Sequence, residues 1–268
     1  MANLFIVPHD FTSVGDAALK HAIFMATPRK TKIELLHIVN DKSKGRAAHQ
    51  KLQHIIENLD LGVGDVEIVP LVKVGSIFDD IGKIAEDKEA KLIIMGTHGA
   101  KGMQKLFGSY AIKVVTSSSV PFLVVQESEA PKRIQQIVVP IDLSKESLQI
   151  INVAGDIARM FNAKIHVLGE KQSDPRLAQQ MKIRISLVDK EFSDKEVNSE
   201  IHIIEGSKAY HHKVIQFTKE NSADLIALSY HSSSLIFQYD NYIQSLITNE
   251  LDVPCLIVNA KQLSKLYY

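Results

Sequence analysis

The chain has 268 residues, 45% of them hydrophobic and 23% charged, with 31 basic residues balanced by 31 acidic ones. That length suits two ordinary domains better than one oversized core, and the balanced charge, without a long run of one sign, excludes a nonspecific nucleic-acid or anionic-membrane binder. The single cysteine, Cys255, excludes a disulfide framework, and its VPCLIV setting is that of a small buried hydrophobe.

The N-terminus lacks the charged, apolar and small-residue succession of a secretory signal. No apolar run nears the ~20 residues of a membrane span, so a cytoplasmic protein with no membrane partner is expected. Residues 4–7 form an apolar strand run, and Thr12 or Ser13 is expected to cap a helix on which Val14, Ala17, Ala18, Ala22 and Met25 recur near helical spacing. A strand over 33–39, a helix near 46–58 and a strand over 66–74 follow. Ser76 is expected to cap a helix carrying Phe78, Ile81, Ile84 and Ala85 on one face. A strand over 91–95 then enters a glycine-rich loop, a helix opens at Ser109, and a last strand covers 121–125. Strands alternating with helical patterns predict a parallel sheet covered on both faces, with right-handed crossovers.

The loop MGTHGAKGMQKLFGS, residues 95–109, carries glycines at 96, 99, 102 and 108. Glycine lets backbone approach a bound anion closely, and the loop ends at a helix start, where free N–H groups and the helix dipole favour phosphate. Lys101 and Lys105 are solvated loop charges on this reading, and Asp10 either stabilises a helix start or contacts a ligand.

The second half repeats the first at an offset of about 132 residues. VPHDFT from Val7 matches VPIDLS from Val139, KIELLHIV from Lys32 matches KIHVLG from Lys164, Gly75-Ser76 matches Gly206-Ser207, and VPFLVV from Val120 matches VPCLIV from Val253. Two domains, 1–127 and 133–262, are therefore expected, joined by the polar linker ESEAPKR over 127–133. The glycine loop does not survive in the second copy. Aligned without a gap between its fourth and fifth strands, Gly96, Gly99, Gly108 and Ser109 become Ser229, Ser232, Asn241 and Tyr242.

An opening strand ending VPHDF, a Gly96-x-x-Gly99 element after the fourth strand, Gly108-Ser109 at a helix start and a closing VPFLVV strand together resemble the universal stress proteins in tandem two-domain form, over essentially the whole chain. The resemblance implies an α/β fold of two open, doubly wound five-stranded parallel sheets, each of order 3-2-1-4-5 (adenine nucleotide α-hydrolase-like). It also implies an intrachain pseudo-dimer paired through the fifth strands, 121–125 and 254–258, which would cover two apolar edges, and is compatible with a homodimer. ATP or another adenine nucleotide, with or without magnesium, is the implied ligand.

The implied roles fall on particular residues. Asp10 contacts adenine or its neighbouring backbone, Pro8 shapes the strand exit, Val39 covers the base, Met95 and Gly96 lie beside the ribose, and Gly99, Gly108 and Ser109 hold the phosphates. In the implied strand order the ends of strands 1 and 4 flank the topological switch point, where open α/β sheets bind ligands. The Gly99–Gly108 spacing is one residue shorter than the family pattern, and Tyr110 and Ala111 stand where nucleotide-binding members carry a small residue and then a hydroxyl residue.

Eleven histidines raise the question of a metal. No HExxH or cysteine–histidine set is present, and His211 and His212, adjacent on a predicted helix, project about 100° apart, so no metal site is expected. His9 and His98 are expected at the crevice as hydrogen-bond donors. No serine, histidine and acid set has a nucleophile-elbow context, so no catalytic residues are expected. The expected function is a nucleotide-responsive stress or signalling module, not an enzyme, with binding in the N-terminal copy alone. The alternatives are a ligand-free structural or chaperone-like adaptor and a slow ATPase.

Overall fold

The computed structural model describes residues 3–28, 30–59, 66–97, 112–127, 130–231 and 236–260, with side chains left out for 236–239. Its contacts divide the chain into two units, Met1–Pro131 and Lys132–Tyr268. Among the described residues no helix is long and apolar enough to cross a membrane.

In the first unit β1 (Asn3–Pro8), α1 (Ser13–Ala26), β2 (Thr31–Val39), α2 (Gly45–Glu57), β3 (Val66–Val74), α3 (Asp80–Asp87), β4 (Leu92–Thr97) and β5 (Phe122–Gln126) follow one another, with helical residues 112–115 before β5. The strands pair in parallel in the order β3-β2-β1-β4-β5. Phe5, Ile6 and Val7 of β1, and every residue of β5, are buried. Continuous apolar runs of this kind are what a parallel sheet covered on both faces requires. Pro70 falls within β3, a strand at the edge of this unit's sheet order, where a missing N–H is tolerated.

The second unit repeats the plan with β6 (Gln136–Ile141), α4 (Ile150–Phe161), β7 (Lys164–Glu170), α5 (Pro175–Asp194), β8 (Ser199–Ile204), α6 (Tyr210–Glu220), β9 (Leu225–Tyr230), α7 (Ile236–Ile247) and β10 (Cys255–Asn259). Its order is β10-β9-β6-β7-β8, again parallel. Cys255 is buried, its thiol donates to the Leu246 carbonyl at 3.1 Å, and burial raises its pKa well above the usual range, so it is an inert core residue.

Two local features depart from the sequence reading. The regular helix expected from Ser76 begins only at Asp80, after a turn in which the Ser76 hydroxyl accepts the Phe78 N–H at 3.2 Å, as a cap does, the Ser76 carbonyl accepts the Asp80 N–H at 3.0 Å and the Asp80 carboxylate accepts the Ser76 N–H at 2.7 Å. These bonds hold a separate turn and leave Phe78 outside the helix. The 20-residue α5 was not foreseen. Asp174 caps it by accepting from the N–H groups of Arg176 and Leu177, with Pro175 in the first turn.

Candidate functional site

β1 and β4 are neighbours in a sheet whose order reverses between them, so the chain leaves their C-terminal ends in opposite directions and opens a crevice. A cavity of about 460 Å³ occupies it. Pro8 and Asp10 from the end of β1 and Met95, Gly96 and Thr97 from the end of β4 line one side, while Leu36, Ile38, Ile77, Phe78 and Ile81 supply apolar wall. Four of the expected site residues, Pro8, Asp10, Met95 and Gly96, thus share one cavity. Val39 does not line it. It lines an adjoining hollow at the ends of β2 and β3, which shares His37, Ile38, Ile77 and Phe78 with the first. Gly99, Gly108 and Ser109 lie outside the described residues, as does His98.

Polar contacts fix the rim. Asp10 Oδ1 accepts from the Thr12 N–H at 3.1 Å and the Thr12 hydroxyl at 2.5 Å, which shapes the turn from β1 into α1. Thr12 is the N-cap residue of α1, yet its side chain makes no cap bond because it is turned to Asp10. Asp10 therefore organises the turn and also lines the cavity.

His9 is buried. Its Nδ1 accepts the Phe11 N–H at 3.0 Å, so Nε2 carries the proton and donates to Asp16 Oδ1 at 3.1 Å. Both nitrogens are engaged within the protein, so His9 is a hydrogen-bond donor at the crevice, as expected, with Asp16 as the acceptor and the ring held as a fixed part of the cavity wall. Phe11 makes this possible by adopting φ 66°, a left-handed conformation that costs an aromatic residue about 1–2 kcal/mol. Its ring packs on His37 with centroids 4.2 Å apart, and His37 Nδ1 donates to the His9 carbonyl at 2.7 Å. His37, Phe11 and Phe78 were missed as site features because their placement depends on this turn and on the late start of α3.

Burial lowers the His9 pKa, outweighing the opposing pull of Asp16. The unfolded chain therefore binds more protons than the folded one as pH falls through about 6.5, and stability from the neutral ring is present above that pH and lost below it. Substitution of His9 by Asn is expected to flatten the decline in unfolding free energy between about pH 7 and pH 5. Chemical denaturation at a series of pH values reads this directly, and identical slopes for the two proteins would contradict it.

Gly96 has a packing role. A Cβ there would lie 2.2 Å from the Val14 carbonyl oxygen and 2.5 Å from Val14 Cγ1, so α1 approaches β4 only because this residue has no side chain.

The second unit keeps the turn and changes the rest. Asp142 Oδ1 accepts from the Ser144 N–H at 2.7 Å and the Ser144 hydroxyl at 2.5 Å, matching Asp10 and Thr12. Its Oδ2 faces His231 Nε2 at 3.3 Å. Burial pushes the Asp142 carboxyl up, but hydrogen bonds from His231 and Ser144 outweigh it and hold the pKa below the usual value. Ser229 replaces Gly96, and the first turn after β6 is a 3-10 turn, Glu146–Gln149, in place of the regular opening of α1. Tyr210 reaches the strand ends from α6, its hydroxyl 2.7 Å from the Leu168 carbonyl and 3.2 Å from that of Ile141. Leu168 pairs with Pro140 as Leu36 pairs with Pro8, so this hydroxyl sits at the level of the first unit's cavity wall. The Tyr210 ring lies parallel to Tyr242, with centroids 5.9 Å apart.

The model of the universal stress protein family matches the chain twice, over residues 1–126 and 133–258. The chain belongs to the universal stress protein family. A universal stress protein of Methanocaldococcus jannaschii is 26% identical over 159 residues, spanning 48% of this chain and 98% of that protein. The crystal structure of a universal stress protein from Archaeoglobus fulgidus superposes over 97% of this chain and 99% of its own, with a TM-score of 0.76 and 16% identity, a likeness of fold. A further Archaeoglobus fulgidus universal stress protein, solved in complex with dAMP, covers 48% of this chain at 14% identity and a TM-score of 0.40. The two family matches fall one in each unit, so the repeat read from the sequence is a tandem pair of universal stress protein domains.

Proposed function

We propose that this tandem universal stress protein is a stress-response or signalling module that binds ATP or another adenine nucleotide in its N-terminal domain alone, and that it performs no chemistry on the ligand. The observation that carries this reading is the single cavity shared by Pro8, Asp10, Met95 and Gly96 at the switch point. Its volume of about 460 Å³ falls within the range of small-molecule pockets, and its apolar wall suits a planar base. The phosphates would extend toward the glycine loop that follows β4 in sequence.

Restriction to the N-terminal domain is supported by the second unit. Tyr210 occupies the strand ends there, Asp142 is engaged by His231 and Ser144, and Ser229 stands in place of Gly96. Binding without turnover is supported by the cavity lining, in which Asp10 is the sole carboxylate among the described residues. Phosphoryl transfer needs a metal site and a group that positions the attacking nucleophile.

Mass spectrometry of ligand released by heat from the purified protein tests the reading. An adenine nucleotide is expected in the supernatant. Release of none, together with no binding of added ATP, would favour the adaptor.

A further inference from the structure

At the N-terminal end of the second unit's strands, the end away from the Tyr210 hydroxyl, three side chains with metal-ligating atoms converge. His166 on β7 pairs in register with Glu200 on β8, and His202 follows two residues on, so the strand period of two places all three on one face. His166 Nδ1 lies 3.0 Å from His202 Nε2, and His202 Nε2 lies 3.8 Å from Glu200 Oε2. The three ligating atoms all lie within 4.8 Å of one another. Two nitrogens and one oxygen around a tetrahedral zinc ion, with bonds of about 2.0–2.1 Å, stand about 3.3 Å apart. The observed separations bracket that value.

The surroundings prepare the ligands. His166 Nε2 donates to Gln136 Oε1 at 2.8 Å, which leaves the Nδ1 lone pair directed at the cluster, as second ring nitrogens are held in metal sites. Phe217 of α6 walls one side, its ring 4.8 Å from His202 and 5.6 Å from His166 between centroids. The half-exposed Glu200 leaves an entry from solvent. Lys164 Nζ now pairs with Glu200 at 2.5 Å, and such a partly exposed ion pair is displaced at little cost.

The first unit solves the matching position differently. There Lys32-Ile33-Glu34 stands in place of Lys164-Ile165-His166, and the buried Glu34 is neutralised by Lys88 at 3.0 Å. The second unit keeps a lysine–carboxylate pair here, Lys164 with Glu200, and adds two imidazoles beside the carboxylate that the first unit does not have.

We propose that His166, Glu200 and His202 form a site for a divalent transition-metal ion of the zinc class, with the fourth coordination position open to solvent. Gln136 is a positioning residue that sets the His166 tautomer. The sequence reading expected no metal because it looked for ligands along one helix or in a known motif. These ligands lie on two neighbouring strands, and only the register joins them.

The test titrates the full chain, stripped of metal by a chelator, with Co²⁺ followed optically and with Zn²⁺ in competition with a chromophoric chelator. One ion per chain with the visible bands of tetrahedral Co²⁺ is expected. Glu200→Gln and His202→Gln should each weaken binding at least tenfold, Gln136→Ala about tenfold, and His211→Gln should leave it unchanged. Glu200 is exposed enough that its variant reports on binding even if the histidine variants fold poorly. Absence of the tetrahedral bands, or Zn²⁺ affinity equal in the wild type and the Glu200→Gln variant, would overturn the proposal.

Discussion

Replacing Gly96 by valine is expected to destabilise the N-terminal domain by about 3 kcal/mol or more, enough to unfold a domain of ordinary stability at physiological temperature. The cause is backbone. A Cβ at this position would lie 2.2 Å from the Val14 carbonyl oxygen and 2.8 Å from its carbon, so α1 would have to lift from β4. Flexible side chains can give way, but a helix backbone anchored by the buried Ala17, Ala18 and Ala22 has no comparable freedom. Gly45 provides the control. A Cβ there meets nothing within 4 Å, so Gly45→Ala should be neutral or slightly stabilising. Urea denaturation of both variants measures the contrast, and a Gly96→Val protein as stable as wild type would contradict the close α1–β4 approach.

The second large effect concerns the ligand. Gly99→Val and Gly108→Val are each expected to weaken ATP binding by roughly 100-fold or more, about 2.7 kcal/mol, while leaving the thermal unfolding transition near that of the wild type. A branched side chain keeps the loop backbone from reaching the phosphates. The pairing of results matters, because Gly96 tests packing whereas Gly99 and Gly108 test the phosphate loop. Calorimetry on the folded variants provides the measurement, and wild-type affinity in both would replace the phosphate-loop reading with the adaptor.

The strands were legible because burial on both faces forces unbroken apolar runs, as in FIV of β1 and FLVV of β5. Repetition of those runs also made the two-unit plan legible. Helix starts were harder. Ser76 does cap, its hydroxyl accepting the Phe78 N–H, but a turn follows it and the regular helix starts only at Asp80, a boundary that spacing alone does not place. The signal for α5 was present as Asp174-Pro175, an N-cap followed by a first-turn proline, and was passed over.

At the site, the residues on strand ends came together as the topology requires, since Pro8 and Met95 follow directly from which strands are neighbours. What depends on side-chain reach was not legible. Tyr210 meets the Leu168 carbonyl across 42 positions of sequence, and His166, Glu200 and His202 meet only through the β7–β8 register. His9 was placed at the crevice as a hydrogen-bond donor, but its acceptor, Asp16, was not legible, because the left-handed turn at Phe11 decides which of its nitrogens holds the proton.

Isothermal titration of ATP onto the full chain, freed of any copurified ligand, tests the central claim most directly. The claim is that one of two similar domains keeps a nucleotide crevice open while Tyr210 and the loss of the glycines close the other. About one site per chain is expected, lost in Gly108→Val and retained in a variant altered only in the second unit, such as Ser229→Ala. Two equivalent sites per chain, or one site that survives Gly108→Val at full affinity, would contradict it.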